Sequence, residues 1–252
     1  MARADSASRN PSRSELQGSS PPGLAEAPAR ALLLPRAGAE LGSARQVDRF
    51  ELISRGDIVR GVLVRAGADG QSGARSGRVD SRLPGLLLVA HDAGESSLDL
   101  LSTTRSPCAS WVGEKLALAA VDLPLHGHRA SAKLSQRLVS AHAARERGAA
   151  LDTNGALLLR EFDRQGVCDL RRSLDALLAL DRFDPTRLGF LGLGLGARIG
   201  EAWLRDDPRV AAAVLVAPDG ASRSECLTLE PERFVRGGAE EARAFLASRL
   251  GF

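Results

Sequence analysis

Apolar positions follow two different periods along this chain, and the period changes from one segment to the next. Short runs that alternate or are wholly apolar predict strands, whereas apolar residues three or four positions apart predict helices. The predicted strands cover 47–54, 58–64, 85–90, 116–121, 188–191 and 210–216, with 224–229 as one further short strand. The predicted helices cover 96–101, 132–147, 156–180, 197–204 and 239–250. Strands that alternate with helices predict an α/β fold with a doubly wound, mostly parallel sheet.

Two segments lack both periods. Residues 1–45 are rich in Ser, Pro, Ala, Gly and Arg, a composition that buries too little apolar surface to offset the entropy of ordering. They predict a disordered tail, which leaves residues 46–252 as a single domain. Glycine, arginine and serine recur over 66–82, and this segment predicts an exposed loop.

Composition and charge argue against several classes of function. The 34 basic and 31 acidic residues give a formal charge of +3, and the basic residues are scattered, so no nucleic-acid partner is predicted. No apolar run approaches the roughly 18 to 20 residues of a membrane span, so no membrane partner is predicted. Cys108, Cys168 and Cys226 are far apart without metal-ligand spacing. They predict a reduced, cytoplasmic location, with no metal site and no cofactor.

The segment 187–200 predicts a buried strand, a glycine turn and the first turn of a helix. In the pattern G-x-S-x-G this unit carries a nucleophilic serine on a strained turn. Gly192 and Gly196 keep that spacing here, but Gly194 occupies the serine position. Glycine adopts a positive φ without a Cβ clash and has no hydroxyl. We therefore expect the turn to persist without its nucleophile.

Two further motifs precede this turn, and each follows a predicted strand. The first is His91-Asp92-Ala93-Gly94, and the second runs from Asp122 to Arg129 and contains His126-Gly127-His128. In this order the three motifs resemble those of the α/β-hydrolase superfamily, above all its esterase-like and dienelactone-hydrolase-like members. There the first motif typically reads His-Gly-x-Gly and the second Asp-x-x-Gly-His-Gly. The resemblance spans residues 47–218.

The resemblance implies a role for two backbone N–H groups. In the superfamily such groups face the oxyanion that develops during acyl transfer. By position these would be the N–H groups of Ala93 and Leu195. Asp92 stands where the superfamily has glycine, and a carboxylate beside this place would oppose a developing negative charge. The other possibility is that both turns simply connect strands to helices.

The remaining members of a catalytic triad are also missing or weak. In the superfamily the acid and then the histidine follow the serine along the chain, but no histidine follows Gly194. Asp219 is the candidate acid, and the C-terminal part looks shortened. The sequence therefore predicts a hydrolase-like protein without ordinary serine-triad catalysis. Such a protein would have a ligand-binding or interaction role, with a small acyl or ester-like compound as its candidate ligand.

Two alternatives stay open. His91, His126 and His128 fall in loops near the expected pocket, and His126 or His128 could act as a base for weak ester hydrolysis with water as the nucleophile. Loop histidines are more often solvated or structural. Gly192, Gly194 and Ala197 also satisfy the dinucleotide fingerprint G-x-G-x-x-G/A. Only one clear strand follows that fingerprint, however, whereas a dinucleotide-binding domain needs several.

The predicted strand 210–216 has a consequence for assembly. If the last strands of the sheet are absent, this strand becomes an exposed edge, which tends to pair with another chain. We therefore expect a homodimer, or a partner, at this edge.

Overall fold

Eight strands form one sheet in the part of the chain that the structure describes. The computed structural model describes residues 29–34, 45–67, 83–101, 107–217 and 226–252. The strands are β1 (Leu32–Leu34), β2 (Arg45–Ser54), β3 (Asp57–Ala66), β4 (Gly85–Ala90), β5 (Leu116–Val121), β6 (Leu188–Leu193), β7 (Ala212–Val216) and β8 (Cys226–Leu229). The helices are α1 (Ala132–Glu146), α2 (Thr153–Leu178), α3 (Leu195–Leu204), α4 (Pro231–Arg233) and α5 (Ala239–Leu250). A π-helical turn over Phe234–Gly238 joins α4 to α5.

The sheet is mostly parallel, as the sequence predicts. The strand order is β1-β2-β3-β5-β4-β6-β7-β8. The first three strands are antiparallel, β3 pairs antiparallel with β5, and the pairs from β5 through β8 are parallel. The central strands β4 and β5 are buried at every position, because apolar layers cover both faces of the sheet. Phe162, Phe190 and Trp203 lie in one layer, and Trp111 and Leu246 lie in the other.

Three sequence predictions need correction at the level of local structure. Leu32–Leu34 pair with β2, so the prediction of a disordered tail is wrong for these residues, while 1–28 and 35–44 lie outside the described residues. The predicted helix 96–101 contains only a 3-10 turn, Asp99–Leu101. Helix α2 begins three residues earlier than predicted, because the Asp152 side chain accepts a hydrogen bond from the Gly155 N–H and caps it. Most of the predicted loop 66–82 is outside the described residues.

The prediction that strand 210–216 forms the sheet edge is wrong. Residues Cys226–Leu229 form β8, which pairs in parallel with β7. The short apolar segment near 224–229, predicted as one further strand, therefore covers the edge on which the expected homodimer depended. Among the described residues, β8 is the last strand at this end of the sheet.

Candidate active site at the glycine turn

The glycine turn predicted from the sequence connects β6 to α3. Gly194 has φ +47° and ψ −108°, a conformation that residues with a side chain rarely adopt. Its N–H donates to the Val216 carbonyl over 2.7 Å, and the Gly196 N–H donates to the His91 carbonyl over 3.1 Å. These bonds fix the turn against the neighbouring β7 and against the loop that follows β4.

The two flanking glycines allow the strand, the turn and the helix to approach closely. A Cβ at Gly192 would lie 2.5 Å from the Ala197 Cα, and a Cβ at Gly196 would lie 2.4 Å from the Ala90 carbonyl oxygen. Both neighbours are backbone atoms, which cannot rotate away as a side chain can. The spacing of glycines in this motif therefore reflects close packing as well as the conformation of the turn.

We expect Gly196→Ala to lower the free energy of unfolding by about 2 kcal/mol. Within a helix, alanine is more favourable than glycine by about 1 kcal/mol. Overpacking against fixed backbone atoms costs roughly 1–3 kcal/mol or more, and this cost dominates here. Gly113→Ala is the matched control, because a Cβ there meets nothing within 4 Å. Urea unfolding of both variants measures the difference. We call the glycine turn from Gly192 to Gly196, between β6 and α3, the elbow. Equal stability of the two variants would show that the elbow can relax.

The Asp92 carboxylate binds the two N–H groups that the resemblance implies as oxyanion donors. Its Oδ1 atom accepts hydrogen bonds from the Ala93 N–H at 2.6 Å and from the Leu195 N–H at 2.9 Å. A Cβ on Gly194 would lie 1.9 Å from the same oxygen. The two N–H groups that the sequence suggested as oxyanion donors are therefore both bound to a side chain of the protein itself.

This arrangement would oppose acyl transfer at the glycine turn. Two unit negative charges 4 Å apart repel by about 4 kcal/mol at an effective dielectric constant of 20. An oxyanion developing near Ala93 and Leu195 would meet the Asp92 charge, and it would also lack the donors that Asp92 already uses. The sequence pointed to the repulsion, but not to the direct occupation of both donors.

His91 has a structural role that uses both of its ring nitrogens. The ring is fully buried. Its Nδ1–H donates to the Asp92 carbonyl over 2.8 Å, and its Nε2 accepts from the Leu123 N–H over 3.1 Å. Since a carbonyl only accepts, these partners define the neutral ring with its proton on Nδ1. Burial lowers the pKa of His91 to about 4, and the ring ties the loop after β4 to the loop after β5.

Asp122 organises the second motif. Its buried carboxylate accepts from the backbone N–H and the hydroxyl of Ser97 at 2.8 and 2.7 Å, and from the backbone N–H of His128 at 3.1 Å. Burial by itself raises the pKa of Asp122, but the hydrogen bonds from Ser97 and His128 bring this pKa below its ordinary value. Gly127 has φ +52°, and a Cβ there would lie 2.2 Å from Asp122 Oδ2. This loop is thus built around the carboxylate, with His128 as one of its partners.

His126 differs from the other two loop histidines. It is 3% exposed, its Nδ1–H donates to the Pro124 carbonyl over 2.8 Å, and its ring centroid lies 5.1 Å from that of His91 and 6.0 Å from that of Phe162. Burial lowers its pKa, so the ring is neutral near pH 7. Its Nε2 is buried and has no hydrogen-bond partner among the described residues.

Three further predictions concern the candidate acid, a metal site and the dinucleotide fingerprint. Asp219, the candidate acid, lies in 218–225, outside the described residues. Within the described ranges, no group of three or more His, Cys, Asp and Glu residues is arranged to hold a metal ion. Gly192, Gly194 and Ala197 do lie on a strand, turn and helix, but the first N–H of that helix, on Leu195, donates to the Asp92 carboxylate. A dinucleotide pyrophosphate would meet this carboxylate, which argues against the dinucleotide alternative.

The sequence reasoning missed three polar residues on the helices beside the elbow. They are His142 of α1, Asp163 of α2 and Arg198 of α3. His142 is buried together with Leu138 and Ala141, so its place in the inward stripe of α1 was the signal that could have identified it. Arg198 lies four positions after Gly194 in a largely apolar helix, and it pairs with Asp163.

Comparison with known proteins supports the fold but not a specific activity. No protein-family model matches the chain, and no curated protein is similar to it in sequence. It resembles the acetyl xylan esterase from Paenibacillus sp. R4, with a TM-score of 0.52 and 15% identity over 89% of this chain and 68% of that one. It also resembles a zinc-bound, cold-adapted esterase from an Arctic intertidal metagenomic library, with a TM-score of 0.51 and 14% identity over 87% of this chain and 99% of that one.

A third solved structure is a provisionally assigned acetyl xylan esterase from Bacteroides fragilis. Its TM-score is 0.52 at 13% identity, and the match covers 73% of this chain. This chain spans about half of that protein, 47% of its length. These likenesses, all at 15% identity or below, concern the fold alone: the chain has an α/β-hydrolase-type fold, as its motifs predict. Among the described residues, no helix is both long and apolar enough to cross a membrane.

Proposed function

We propose that this protein is an α/β-hydrolase-fold protein that does not hydrolyse esters by the ordinary serine mechanism and instead binds a ligand or partner. The observation that carries the proposal is the pairing of Gly194 with Asp92. The nucleophile position has no side chain, and the Asp92 carboxylate accepts the hydrogen bonds of both oxyanion-type donors. A site of this kind lacks both an attacking atom and a place to stabilise the charge that attack creates.

The histidines support the same proposal. No histidine follows Gly194 in the sequence, and both ring nitrogens of His91 form hydrogen bonds with backbone groups. His128 Nδ1 lies 3.2 Å from the Asp122 carboxylate in the second motif. A general base must reach the proton that it removes; the His91 ring has no free nitrogen for this role, and the half-exposed His128 ring already uses its Nδ1 at Asp122.

The test is the absence of a reactive serine and of ester turnover. The purified protein should not react with a fluorophosphonate probe, and it should not hydrolyse p-nitrophenyl acetate above the buffer rate. An active serine esterase run in parallel verifies the reagents. Probe labelling of this chain, or turnover that stays with the protein through successive purification steps, would contradict the proposal.

A second candidate function is weak ester hydrolysis with His126 as a base for water. The observation in its favour is the neutral, buried Nε2 of His126, which has no partner among the described residues. If this candidate holds, His126→Ala abolishes a slow turnover that His128→Ala leaves unchanged. The lowered pKa of His126 makes its ring a weaker base, so we favour the non-catalytic function.

Two predictions from the sequence, self-association and a cytoplasmic location, remain proposals, and the observations that support them are different. Self-association is now proposed at the outer side of β8, the last strand of the sheet among the described residues, because an unpaired edge can add a strand from another chain. Sedimentation at micromolar concentration tests it, and a strictly monomeric profile would argue against it. A reduced, cytoplasmic location is supported by three cysteines that form no disulfide, Cys108, Cys168 and Cys226.

A further inference from the structure

One face of the sheet carries exposed side chains where β1, β2 and β3 lie side by side. Successive side chains of a strand point to opposite faces. In β2 the even positions from Asp48 to Ser54 are buried, whereas Arg49 and Ile53 are exposed. We call this surface the hairpin face, and its side chains are those of Leu32, Arg49, Glu51, Ile53, Ile58 and Arg60.

The strand register places these side chains on one surface. Partners across an antiparallel pair of strands point to the same face, and Ile53 is the partner of Ile58. Glu51 is the partner of Leu32 on one side and of Arg60 on the other. The apolar and charged groups of the hairpin face are therefore immediate neighbours.

The apolar layer that covers this side of the sheet ends where the hairpin face begins. Val62 and Val64, further along β3 on the same side, are buried in the layer that contains α5. Leu32 and Ile53 are 61% and 63% exposed, and Ile58 is 48% exposed. Neighbouring apolar side chains with this exposure are typical of an interaction surface.

The charges of the hairpin face define the chemistry of its partner. Arg60 Nε lies 2.5 Å from Glu51 Oε1, so the carboxylate of this face is already paired. Arg49 is exposed, and its guanidinium forms no ion pair with the described residues. Guanidinium groups pair most strongly with carboxylates. A second copy of the chain would bring another unpaired cation, whereas an acidic partner complements the face.

The dimensions of the hairpin face suit a helix. Neighbouring strands are about 4.8 Å apart, so β1 to β3 span about 10 Å, which is close to the diameter of an α-helix. The same side of the sheet is already covered by a helix, α5, further along. A lipid bilayer fits less well, because the charges of Glu51 and Arg60 would enter hydrocarbon without further polar partners.

We propose that the hairpin face docks an amphipathic helix of a partner protein, with acidic side chains beside its apolar stripe. The stripe packs on Leu32, Ile53 and Ile58, and an acidic side chain pairs with Arg49. Strands β5 and β4 separate this face from the elbow, so the inference goes beyond the function proposed for the elbow and does not depend on it. Since the interface is small, we expect a dissociation constant of about 0.1–1 mM.

A model peptide tests the proposal on the full chain. The probe is a helical peptide of about 18 residues made of leucine, alanine and glutamate, with its leucines three or four positions apart. We expect it to shift the amide NMR signals of β1, β2 and the first half of β3. Binding should weaken at least fivefold between about 0.05 and about 0.5 M salt. The same peptide with lysine for glutamate, and vesicles of phosphatidylcholine and phosphatidylserine, should not bind.

Variants locate the docking face. Ile53→Thr keeps the branched β-carbon that suits a strand, and it should weaken binding of the acidic peptide at least fivefold, or about 1 kcal/mol. Arg49→Gln should remove most of the salt dependence. Leu157→Gln is the matched control, because Leu157 is 50% exposed on α2, which packs against the opposite side of β2, and it should leave binding unchanged.

Four results would each overturn the inference. The first is that the acidic peptide does not bind the folded wild-type chain. The second is that the lysine peptide or the vesicles bind as well as the acidic peptide does. The third is that Leu157→Gln weakens binding as much as Ile53→Thr. The last is a dimer in sedimentation that Ile53→Thr dissociates, since the occupant of the face would then be a second copy of the chain.

Discussion

Gly194→Ser is expected to lower the free energy of unfolding by about 4 kcal/mol and to leave the protein without esterase activity. The new Cβ would lie 1.9 Å from Asp92 Oδ1, so the carboxylate must leave its two N–H donors. Hydrogen bonds to charged groups contribute about 1.5–3 kcal/mol each, and a side chain at φ +47° adds a strain of order 1–3 kcal/mol. Urea unfolding of the variant measures the sum.

A double-mutant cycle with Asp92 separates these two contributions. In an Asp92→Gly background the serine meets no carboxylate, so Gly194→Ser should cost only the backbone strain, about 1 kcal/mol, and the coupling between the two sites should be about 3 kcal/mol. Asp92→Asn is the matched control, because the amide keeps the size and an acceptor oxygen and therefore keeps the clash. A coupling near zero in the Asp92→Gly cycle would show that Asp92 does not constrain residue 194.

Activity should stay absent even in the Asp92→Gly, Gly194→Ser double variant. That chain has a hydroxyl and two free N–H donors, but still no histidine after residue 194 to activate the serine. Fluorophosphonate labelling of the double variant is the most sensitive measurement. Robust labelling would show that another group, for example His126, can take the place of the missing base.

Acid should destabilise the protein through His91. Its pKa is about 4 in the folded protein, against 6.5 for an unperturbed ring. Between these values the unfolded chain binds a proton that the folded chain excludes. The His91 contribution is therefore fully present above pH 6.5 and is lost as the pH falls towards 4. The loss is about 3 kcal/mol in all, and about 2 kcal/mol by roughly pH 5.

His91→Gln isolates this contribution, because an amide can still donate to one backbone group and accept from another without titrating. Between about pH 7.5 and about pH 5, the wild-type chain should lose about 2 kcal/mol more stability than the variant does. The comparison is needed because burial raises the pKa of Asp163 and of Asp169, and these two groups favour the folded state as the pH falls. Parallel pH profiles of the two proteins would contradict the structural role of His91.

The elements of the fold follow largely from local patterns. The wholly apolar runs at Gly85–Ala90 and Leu116–Val121 predict the central strands at the observed bounds, because burial on both faces leaves no polar position in the run. Leu32–Leu34 and Cys226–Leu229 are less visible, since such short strands carry too few positions to establish a period. Both depend on pairing with a longer neighbour, β2 and β7 respectively.

The candidate site was only partly predictable, for a related reason. Ala93 and Leu195 could be located from the motifs, but His142 and Arg198 carry no motif. Their significance depends on how α1 and α3 pack against α2, and on which of their nitrogen atoms lose access to water in that packing. Sequence period identifies the inward face of a helix, but not the partners of a polar side chain on that face.

The residues alone predict most of the strands and helices in their order along the chain, and they give the glycine at the elbow, the missing serine and the missing later histidine. These features depend on residue identity and on local period. The group that fills the elbow is known only from the folded chain, because the Asp92 carboxylate reaches the Leu195 N–H across 103 positions of the sequence. The two groups meet because β4 and β6 are neighbours in the parallel sheet, so that the loops at their carboxyl ends lie side by side.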